Sequence, residues 1–505
     1  MSVQNTYDIV IIGSGLGGLA CGSILSQRGY KVCILEQHFQ IGGCLQDFKR
    51  NGQLFDTGMH YIGSYEDGQI LNTLFRYFNI YDKIEVSKLD ENGFDVLQAG
   101  GNEFAIPQGV DAFRDKLIKQ FPEEEKAIIT YFDKILEIYN SVDIVNLRNI
   151  LNFDFEAKKG EGENVYDFVA SLTDNLDLRN ILCYSNSLYA GKKESASLFI
   201  HAIINVFYLQ SAWTLVKGGG QIAGAFKDVI EANGGEVIIN ARVTRLVCQN
   251  DKIEEIQIEG CEPIKGKQVI SNIEPLTTMQ MVEGANIRKV YLKRLQQQEQ
   301  TISCYSLYCV LNERSVKYAN ANFYYYKNNE VWGLDDYDES IWPQGYMLYM
   351  KESSIHKGFA ESITLLSPMD YNEMEPWFDT GIEKRGNDYK QMKLEKGERL
   401  LDLLEDKYPD IRLNIKATYA STPLTFRDYT GVRGGAMYGV KTDSRNPVAS
   451  QVLPRTRVKN LFLTGQNINM HGILGVSVSA IITCGEILGI NSIIDELRTF
   501  KQEAE

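Results

Sequence analysis

The chain begins with a pattern of apolar and polar positions that predicts a strand, a helix and a second strand. Tyr7 to Ile12 is an apolar run of the length expected for a buried strand. Apolar residues at helical spacing follow from Leu16 to about Arg28, and Lys31 to Leu35 is a second strand-like run that ends on Glu36. Because strand–helix–strand units build parallel sheets, this region is predicted to be an α/β fold.

The turn between the first strand and the helix reads Gly13-Ser14-Gly15-Leu16-Gly17-Gly18. In a strand–turn–helix unit, glycines at these spacings allow a tight turn, a close approach of the backbone to a diphosphate, and close packing of helix on strand. The free N–H groups of the helix amino-terminus hold the diphosphate. Glu36 is placed to accept hydrogen bonds from a ribose diol, so the amino-terminal unit is predicted to bind a dinucleotide.

Beyond this unit the pattern changes twice and then returns. Residues 107–152 are predicted to be mainly helical, whereas residues 301–425 hold alternating segments rich in Tyr and Phe that predict an antiparallel sheet. A strand over residues 460–465 and a helix near Gly475 return to the strand–helix pattern of the amino-terminal unit. We therefore predict a nucleotide-binding domain of residues 1–90, 212–275 and 447–505, a mainly helical cap of residues 91–211, and a substrate domain of residues 276–446.

Composition narrows the classes of function. The 505 residues carry a formal net charge of −14, which argues against nucleic acid as a partner. The nine cysteines include no Cys-x-x-Cys pair, so neither a disulfide framework nor a metal site is expected, and a reduced, cytoplasmic chain is favoured. No amino-terminal leader is expected, and the longest apolar stretch, residues 196–213, is interrupted by polar residues.

Further motifs identify a resemblance to a family. The pair Gly42-Gly43 and the segments 271–275, 461–466 and 471–476 resemble elements of the flavin amine oxidase and phytoene desaturase superfamily. Within it, Phe55-Asp56-Thr57-Gly58-Met59-His60-Tyr61-Ile62-Gly63 and the segments 421–425 and 434–439 are similar to the retinol saturase branch. The resemblance covers the whole chain. One departure is Asn467, which stands where the family pattern has an acidic residue.

The resemblance implies a Rossmann-type FAD-binding domain of the glutathione reductase and amine oxidase kind. It also implies a discontinuous α+β substrate domain on an antiparallel sheet. The residues expected to contact FAD lie in the turn, after the second strand and in the last motif: Gly13, Ser14, Gly15, Leu16, Gly17, Gly18, Glu36, Gln37, Gly42, Gly43, Cys44, Val243, Gly465, Gln466, Gly475 and Val476. We interpret the Cys44 thiol as a packing group, since a cysteine without a matched base is usually inert.

The resemblance implies a lipophilic polyene substrate, but it leaves the direction of the reaction open because the family includes desaturases, saturases and cis–trans isomerases. Our hypothesis is saturation of a carbon–carbon double bond by hydride transfer from reduced flavin and protonation. A polyene without a carbonyl needs an acid in a dry pocket. His60 and Tyr61 are the candidates, followed by His471 and Tyr438. No second glycine fingerprint follows a strand, so electrons are expected from NAD(P)H in transient contact or from a separate reductase, or they leave to a quinone or oxygen. The helical cap is expected to face lipid, with peripheral contact at the inner face of a membrane.

Other functions stay open at this point. A carotenoid-type desaturase, a cis–trans isomerase or an amine oxidase would carry the same glycine motifs. A prenyl-binding module related to the GDP dissociation inhibitors shares the fold without using flavin for redox chemistry. The intact glycine turn, Glu36 and the Thr464-Gly465 motif weigh against such a module, and flavin bound to the purified protein would exclude it.

Overall fold

A computed structural model describes residues 6–150, 159–334, 337–468 and 470–504. The strands along the described chain are β1 (Thr6–Ile12), β2 (Val32–Leu35), β3 (Asp47–Arg50), β4 (Gln53–Asp56), β5 (Tyr61–Gly63), β6 (Val86–Lys88), β7 (Asp95–Ala99), β8 (Asn102–Ile106), β9 (Ala212–Leu215), β10 (Glu236–Ile238), β11 (Val243–Gln249), β12 (Lys252–Ile258), β13 (Lys265–Ser271), β14 (Val282–Glu283), β15 (Ser303–Leu311), β16 (Asn322–Tyr326), β17 (Gly345–Glu352), β18 (Ala360–Met369), β19 (Ile415–Ser421) and β20 (Leu461–Leu463). The α-helices are α1 (Leu16–Gln27), α2 (Ile70–Tyr77), α3 (Val110–Gln120), α4 (Glu125–Ser141), α5 (Val165–Leu172), α6 (Leu176–Leu182), α7 (Leu198–Gln210), α8 (Gly220–Ala232), α9 (Pro275–Met281), α10 (Lys289–Gln297), α11 (Gly386–Glu405), α12 (Pro423–Thr430), α13 (Pro447–Ser450), α14 (Gly472–Leu488) and α15 (Ile490–Ala504).

A five-stranded parallel sheet forms the centre of the molecule, in the order β10-β2-β1-β13-β20. Its strands come from sequence positions as far apart as Thr6 and Leu463, yet they share one core, and Ile9, Val10 and Ile34 are fully buried. Strands buried on both faces read as apolar runs, which is the pattern that predicted them. Their carboxyl ends bring the turn after β1, Glu36, Asn272 and Gly465 to one edge, where open α/β sheets bind ligands.

The second large sheet has seven strands in the order β19-β15-β18-β17-β16-β7-β8. Its pairs are antiparallel except β16 and β7, which run parallel with Asn322 opposite Asp95. This confirms the predicted α/β fold with an antiparallel second sheet. It differs from the predicted boundary at residue 91, because β7 and β8 lie in this sheet and not in a helical cap. Periodicity marks a strand, but it does not show which distant strand will pair with it.

The helical region holds α3 to α7. Helix α7 was expected to touch lipid, but eleven of its thirteen residues are buried, including His201 and Asn205. A helix that is apolar on every side is a core helix as readily as a lipid-facing one, and here it lies in the core. Among the described residues, no helix combines the length and apolarity needed to cross a membrane. Residues 151 and 152, which end the predicted helical segment, lie outside the described residues.

Candidate functional site

The turn after β1 has the geometry that its glycines predict. Gly13 has φ of 90°, a left-handed conformation that suits glycine. A side chain at Gly18 would collide with the Gly13 carbonyl oxygen, so α1 packs directly on the turn. Because Gly13 and Gly18 have no side chains, no side chain of theirs covers the backbone of the turn at the end of the sheet.

Asn272 contacts both the turn and the last motif. The sequence analysis identified only the segment 271–275 that contains it. The Asn272 backbone N–H donates to the Ile12 carbonyl oxygen at 2.8 Å, and the residue follows β13 directly. A Cβ at Gly15 would lie 2.8 Å from its amide nitrogen, and a Cβ at Gly465 would lie 2.7 Å from its amide oxygen. Gly15 and Gly465, from opposite ends of the chain, therefore both pack against the Asn272 side chain, and a side chain at either position would collide with it.

Ser14 and Glu36 join the turn to the end of β2. The backbone N–H and the hydroxyl of Ser14 donate to Glu36 Oε2 at 2.9 and 2.6 Å, and the His38 N–H donates to Oε1 at 2.8 Å. Glu36 is 8% exposed. A carboxylate has about four acceptor positions, so Glu36 keeps the capacity to accept from a ribose diol.

The Gly42-Gly43 pair lies against the same turn. Gly42 forms a parallel bridge with Gly15, and its N–H donates to the Ser14 carbonyl oxygen at 3.0 Å. Both glycines have positive φ, 112° and 56°. A Cβ at Gly43 would lie 3.3 Å from the Gly15 Cα, so the two glycine segments are in close contact.

These glycines make a cradle that fits FAD. We define the glycine cradle as Gly13, Gly15, Gly17, Gly42, Gly43 and Gly465. Each approaches a neighbour so closely that an added Cβ would lie within 3.4 Å of it. Gly13, Gly15 and Gly43 are partly exposed at the end of the parallel sheet, with the acidic Glu36 at one side. Backbone groups in such a position are the chemistry that binds a dinucleotide diphosphate.

The other residues predicted to contact FAD lie in several different elements. Leu16 and Val476 are nearly buried, Val243 begins β11, and Gln37 is exposed. Gly475 packs on the Met470 backbone, and the Gln466 side chain lies beside Gly439. Asn467, the departure from the family pattern, accepts from the Val440 N–H at 2.9 Å. Its amide oxygen therefore ties the last motif to the substrate domain.

Asp56 explains how the motif of residues 55–63 is held. Its Oδ1 accepts from the Gly219 N–H at 2.6 Å at the start of α8, and Asp47 accepts from the Gly220 N–H at 3.1 Å. Burial raises the pKa of Asp56 to about 6. Thr57 donates to the Gln46 carbonyl oxygen at 2.7 Å. These contacts hold Asp56 and Thr57, which shortly precede His60 and Tyr61, against the start of α8 and against Gln46.

All four predicted catalytic residues line one cavity of about 130 Å³, which we call the inner cavity. The remaining wall is mostly apolar and includes Ile203, Ile204 and Phe207 from α7, Met347 and Tyr349 from β17, and Met470 and Leu474 beside the last motif. Cys44 and residues 471–474 also lie on this wall. Because Cys44 directly follows Gly43, the inner cavity lies at one end of the glycine cradle.

His60 stacks on Tyr349, with ring centres 4.2 Å apart and planes at 10°. Its Nε2 is buried and has no hydrogen-bond partner among the described residues. Burial lowers the pKa of His60 to about 4, so the imidazole is neutral at pH 7. A buried, unpaired nitrogen on a cavity wall offers a hydrogen bond to a bound molecule.

Tyr61 leads from the inner cavity to a buried carboxyl group. Its hydroxyl lies 2.8 Å from that of Tyr324 and 3.2 Å from Asp95 Oδ2. Asp95 is fully buried, and Tyr184 and Asn322 also donate to it, at 3.2 and 2.9 Å. Burial raises the pKa of Asp95 to about 7, against these hydrogen bonds, which lower it.

His471 and Tyr438 are anchored together on the wall of the inner cavity. Their rings lie 4.6 Å apart. The Tyr438 hydroxyl donates to the Ser187 carbonyl oxygen at 3.1 Å, and His471 Nε2 lies 3.1 Å from the Leu188 carbonyl oxygen. Burial lowers the pKa of His471 to about 4. Both side chains are thus held by one short backbone segment.

Comparison with known proteins identifies the family. The chain is 30% identical to an all-trans-retinol 13,14-reductase of Danio rerio, over 96% of this chain and 86% of that protein. It belongs to the phytoene desaturase and retinol saturase family of FAD-dependent oxidoreductases. A 4,4'-diapophytoene desaturase of a Methylomonas species is 24% identical over 87% of this chain and 86% of its own length. A sequence model of an NAD(P)-binding Rossmann-like domain matches residues 11–78.

Solved structures share the fold of this family member. A putrescine oxidase bound to putrescine has a TM-score of 0.63 at 13% identity, covering 96% of this chain and 99% of that chain. An oxidoreductase from Methanosarcina mazei has a TM-score of 0.60 at 14% identity, covering 94% and 98%. At such low identity the likeness concerns the fold, and it confirms the predicted amine-oxidase-like architecture.

Cys44, which the sequence analysis placed among the residues expected to contact FAD, lies between two spaces of the structure. The residue is exposed, yet it lines the inner cavity and a second, larger groove. Burial among protein atoms raises the pKa of its thiol, so the thiol stays protonated.

Proposed function

We propose that the protein is an FAD-dependent oxidoreductase that saturates carbon–carbon double bonds of a lipophilic polyene. The observation that carries this proposal is the mainly apolar inner cavity at the end of the glycine cradle, lined by His60, Tyr61, Tyr438 and His471. The reductases among the relatives support the direction of the reaction, and desaturation is the second candidate because a relative is named as a desaturase.

The glycine cradle and Glu36 would hold FAD, which supplies hydride chemistry when bound. The protein's own part begins with exclusion of water. Ile203, Ile204 and Phe207 close the inner cavity with apolar side chains from the buried helix α7. A dry cavity strengthens electrostatic interactions and protects a carbocation-like centre from water.

The proton comes from Asp95 through Tyr61 in this proposal. Tyr61 lines the inner cavity, and its hydroxyl lies within hydrogen-bonding distance of Asp95. A carboxyl group with a pKa of about 7 holds its proton near neutral pH and can replace one that the tyrosine gives up. His60 is neutral and offers Nε2 as a hydrogen-bonding group to the bound cofactor or substrate.

The electron source belongs to the same proposal. We infer that NAD(P)H reduces the protein by transient contact, because one glycine-rich dinucleotide turn, within residues 11–78, is found in the sequence. A separate reductase is the alternative donor. Rapid mixing of the oxidised protein with NADPH or NADH under anaerobic conditions distinguishes them, since bleaching of flavin absorbance without another protein supports direct reduction. Peripheral contact with a membrane stays a prediction.

The direct test is an anaerobic absorbance experiment. The purified holoprotein is reduced with dithionite, the excess is removed, and all-trans-retinol or a carotenoid precursor is added. Return of oxidised-flavin absorbance together with loss of polyene absorbance supports saturation. A perturbed polyene spectrum without flavin reoxidation contradicts saturation and favours desaturation or isomerisation. Absence of flavin from the purified protein would instead support a prenyl-binding module.

A further inference from the structure

A second groove lies beside the inner cavity and has a volume of about 920 Å³. We call it the outer groove. The strand β3, the helices α11 and α12 and the sheet strands β15 and β19 all contribute to its lining. Five residues line both spaces: Cys44, Thr57, Gly58, Phe426 and Thr430. The outer groove and the inner cavity therefore share one wall.

The walls of the outer groove are suited to an apolar chain. Phe48, Tyr308 and Leu401 lie along it. At its rim, Phe39 is 64% exposed and Leu394 is 59% exposed. Large apolar side chains left in water on two sides of one groove mark a binding site for an apolar partner.

The charges around the outer groove are opposite to those of the chain. Lys49 and Arg50 contribute from β3, and Lys390 and Lys393 contribute from α11, whereas the whole chain carries −14. Among the described residues, none of the four forms an ion pair within 4.0 Å. Another lysine of α11 does form an ion pair, since Lys396 Nζ lies 2.9 Å from Glu373 Oε1.

The four cations outnumber the two carboxylates that line the outer groove, Asp47 and Glu398, although Lys49 attracts Asp47 and so works to lower its pKa. Asp47 accepts from the Gly220 N–H, and Glu398 pairs with Arg412. Burial and the nearby Arg385 lower the pKa of Lys393 to about 8, which is the response of an ammonium group without a counter-ion. Four unpaired cations beside apolar walls create a local field that attracts an anion.

We propose that the outer groove binds the anionic head group, a carboxylate or a phosphate, of an amphiphile whose apolar chain extends past the shared wall into the inner cavity. The proposal rests on the proposed function and names its substrate class. A neutral alcohol would leave the four cations unused, whereas a carboxylate or phosphate takes bidentate hydrogen bonds from a guanidinium such as Arg50.

The test compares two ligands that share one polyene and differ at the head. Oxidised holoprotein is titrated with all-trans-retinoic acid and with all-trans-retinol, and binding is followed by quenching of protein fluorescence. The acid is expected to bind at least about tenfold more tightly at low salt. Charge attraction at an exposed rim weakens as the ionic strength rises, so this advantage should shrink.

The double variant Lys390→Gln/Lys393→Gln should remove the preference for the acid and leave retinol binding unchanged. The control variant Lys384→Gln/Lys407→Gln changes two lysines beside the ends of α11 that do not line the groove, and it should keep the preference. Flavin content and far-ultraviolet circular dichroism establish that each variant is folded.

Equal affinity for acid and alcohol in the natural protein would overturn the proposal, as would an equal loss of both in the Lys390/Lys393 variant. Sedimentation with phosphatidylglycerol vesicles is the third measurement. If that variant loses vesicle binding while its preference for the acid persists, the cations contact a membrane and the proposal is wrong. Because every readout is binding to oxidised protein, a failure of saturation chemistry gives a separate result.

Discussion

Asp95 lies in an environment that an aspartate rarely occupies. A fully buried carboxyl group with a pKa of about 7 is protonated over part of the physiological range. If the rate depends on this proton, kcat should fall as pH rises through about 7. We expect Asp95→Asn to lower kcat by about 10² to 10⁴ and to abolish that part of the pH profile, because the amide cannot supply a proton.

The measurement is the pH profile of kcat from pH 5 to 9 with saturating substrate. Asp228→Asn changes an exposed aspartate on α8 and should keep the natural profile. A natural profile that is flat across pH 7, or an Asp95→Asn variant with the same descending limb, would show that the proton comes from another group.

Asp95 should also make stability depend on pH. The folded pKa, about 7, lies above the ordinary value of 3.8, so the folded state binds the extra proton between these values. Its contribution to stability is full below pH 4 and is lost as pH rises to 7, by at most about 4 kcal/mol. Asp95→Asn should lack this component. Urea unfolding of both proteins at pH 4.5 and 7 measures it, and equal pH dependence would contradict it.

His60 offers a different prediction. His60→Phe preserves a flat ring against Tyr349 but removes the unpaired Nε2. Losing one hydrogen bond to a bound molecule should lower kcat/KM by about tenfold, equivalent to about 1.4 kcal/mol. Steady-state kinetics and flavin content are the measurements. His356→Phe, in a peripheral loop, is the control, and an unchanged kcat/KM in His60→Phe would remove His60 from the site.

The sequence predicted the residues of this site unevenly. His60, Tyr61, Tyr438 and His471 were accessible because they lie in motifs of adjacent residues. Asp95 and Tyr324 were not, because their positions beside Tyr61 depend on β7 pairing in parallel with β16, more than 220 residues away. Cross-strand neighbours are decided by register, and a single sequence contains no record of register between distant strands.

At the scale of elements, helix α1 depends on a glycine that faces another part of the chain. A Cβ at Gly17 would lie 2.5 Å from Asn272 Oδ1 and 3.0 Å from the Gly465 Cα. Gly17→Ala should therefore push the last motif away from the turn and lower the flavin content of the purified protein severalfold. The absorbance ratio at 450 and 280 nm is the measurement.

Gly224→Ala is the matched control, since Gly224 is also a helical glycine but an added Cβ there meets no atom within 4 Å. That variant should keep its flavin and gain about 0.5–1 kcal/mol of stability from the higher helix propensity of alanine. Full flavin content in Gly17→Ala would show that the glycine cradle tolerates a methyl group.

Predicted elements agree well with the structure where periodicity or an apolar run is sufficient. Residues 301–425, predicted to form an antiparallel sheet, contain the strands β15 to β19. Helix α7 shows the limit, because its apolar composition is the same for a core helix and a lipid-facing helix. Only packing by α4 and the rest of the helical region distinguishes the two, and packing is not local in sequence.

For the whole molecule, the central sheet is assembled from strands between residues 6 and 463. A ligand in the glycine cradle contacts several of these segments at once, so it should stabilise the fold as a unit. At 100 times its dissociation constant, FAD should add about 2.7 kcal/mol to a flavin-depleted protein and raise Tm by a few degrees. Riboflavin, which lacks the diphosphate, is the control, and an equal rise with both would contradict diphosphate binding by the glycine cradle.

The wall formed by Cys44, Thr57, Gly58, Phe426 and Thr430 has a consequence for which bond reacts. If a head group is fixed at the rim while the chain extends past that wall, the distance from the rim to the inner cavity determines which bond of the substrate reacts. The position of the altered bond is then counted from the anchored end, whatever the total length. Homologues that differ only in the length of the far end should give products changed at the same carbon, and moving the cations by one helical turn should move that carbon.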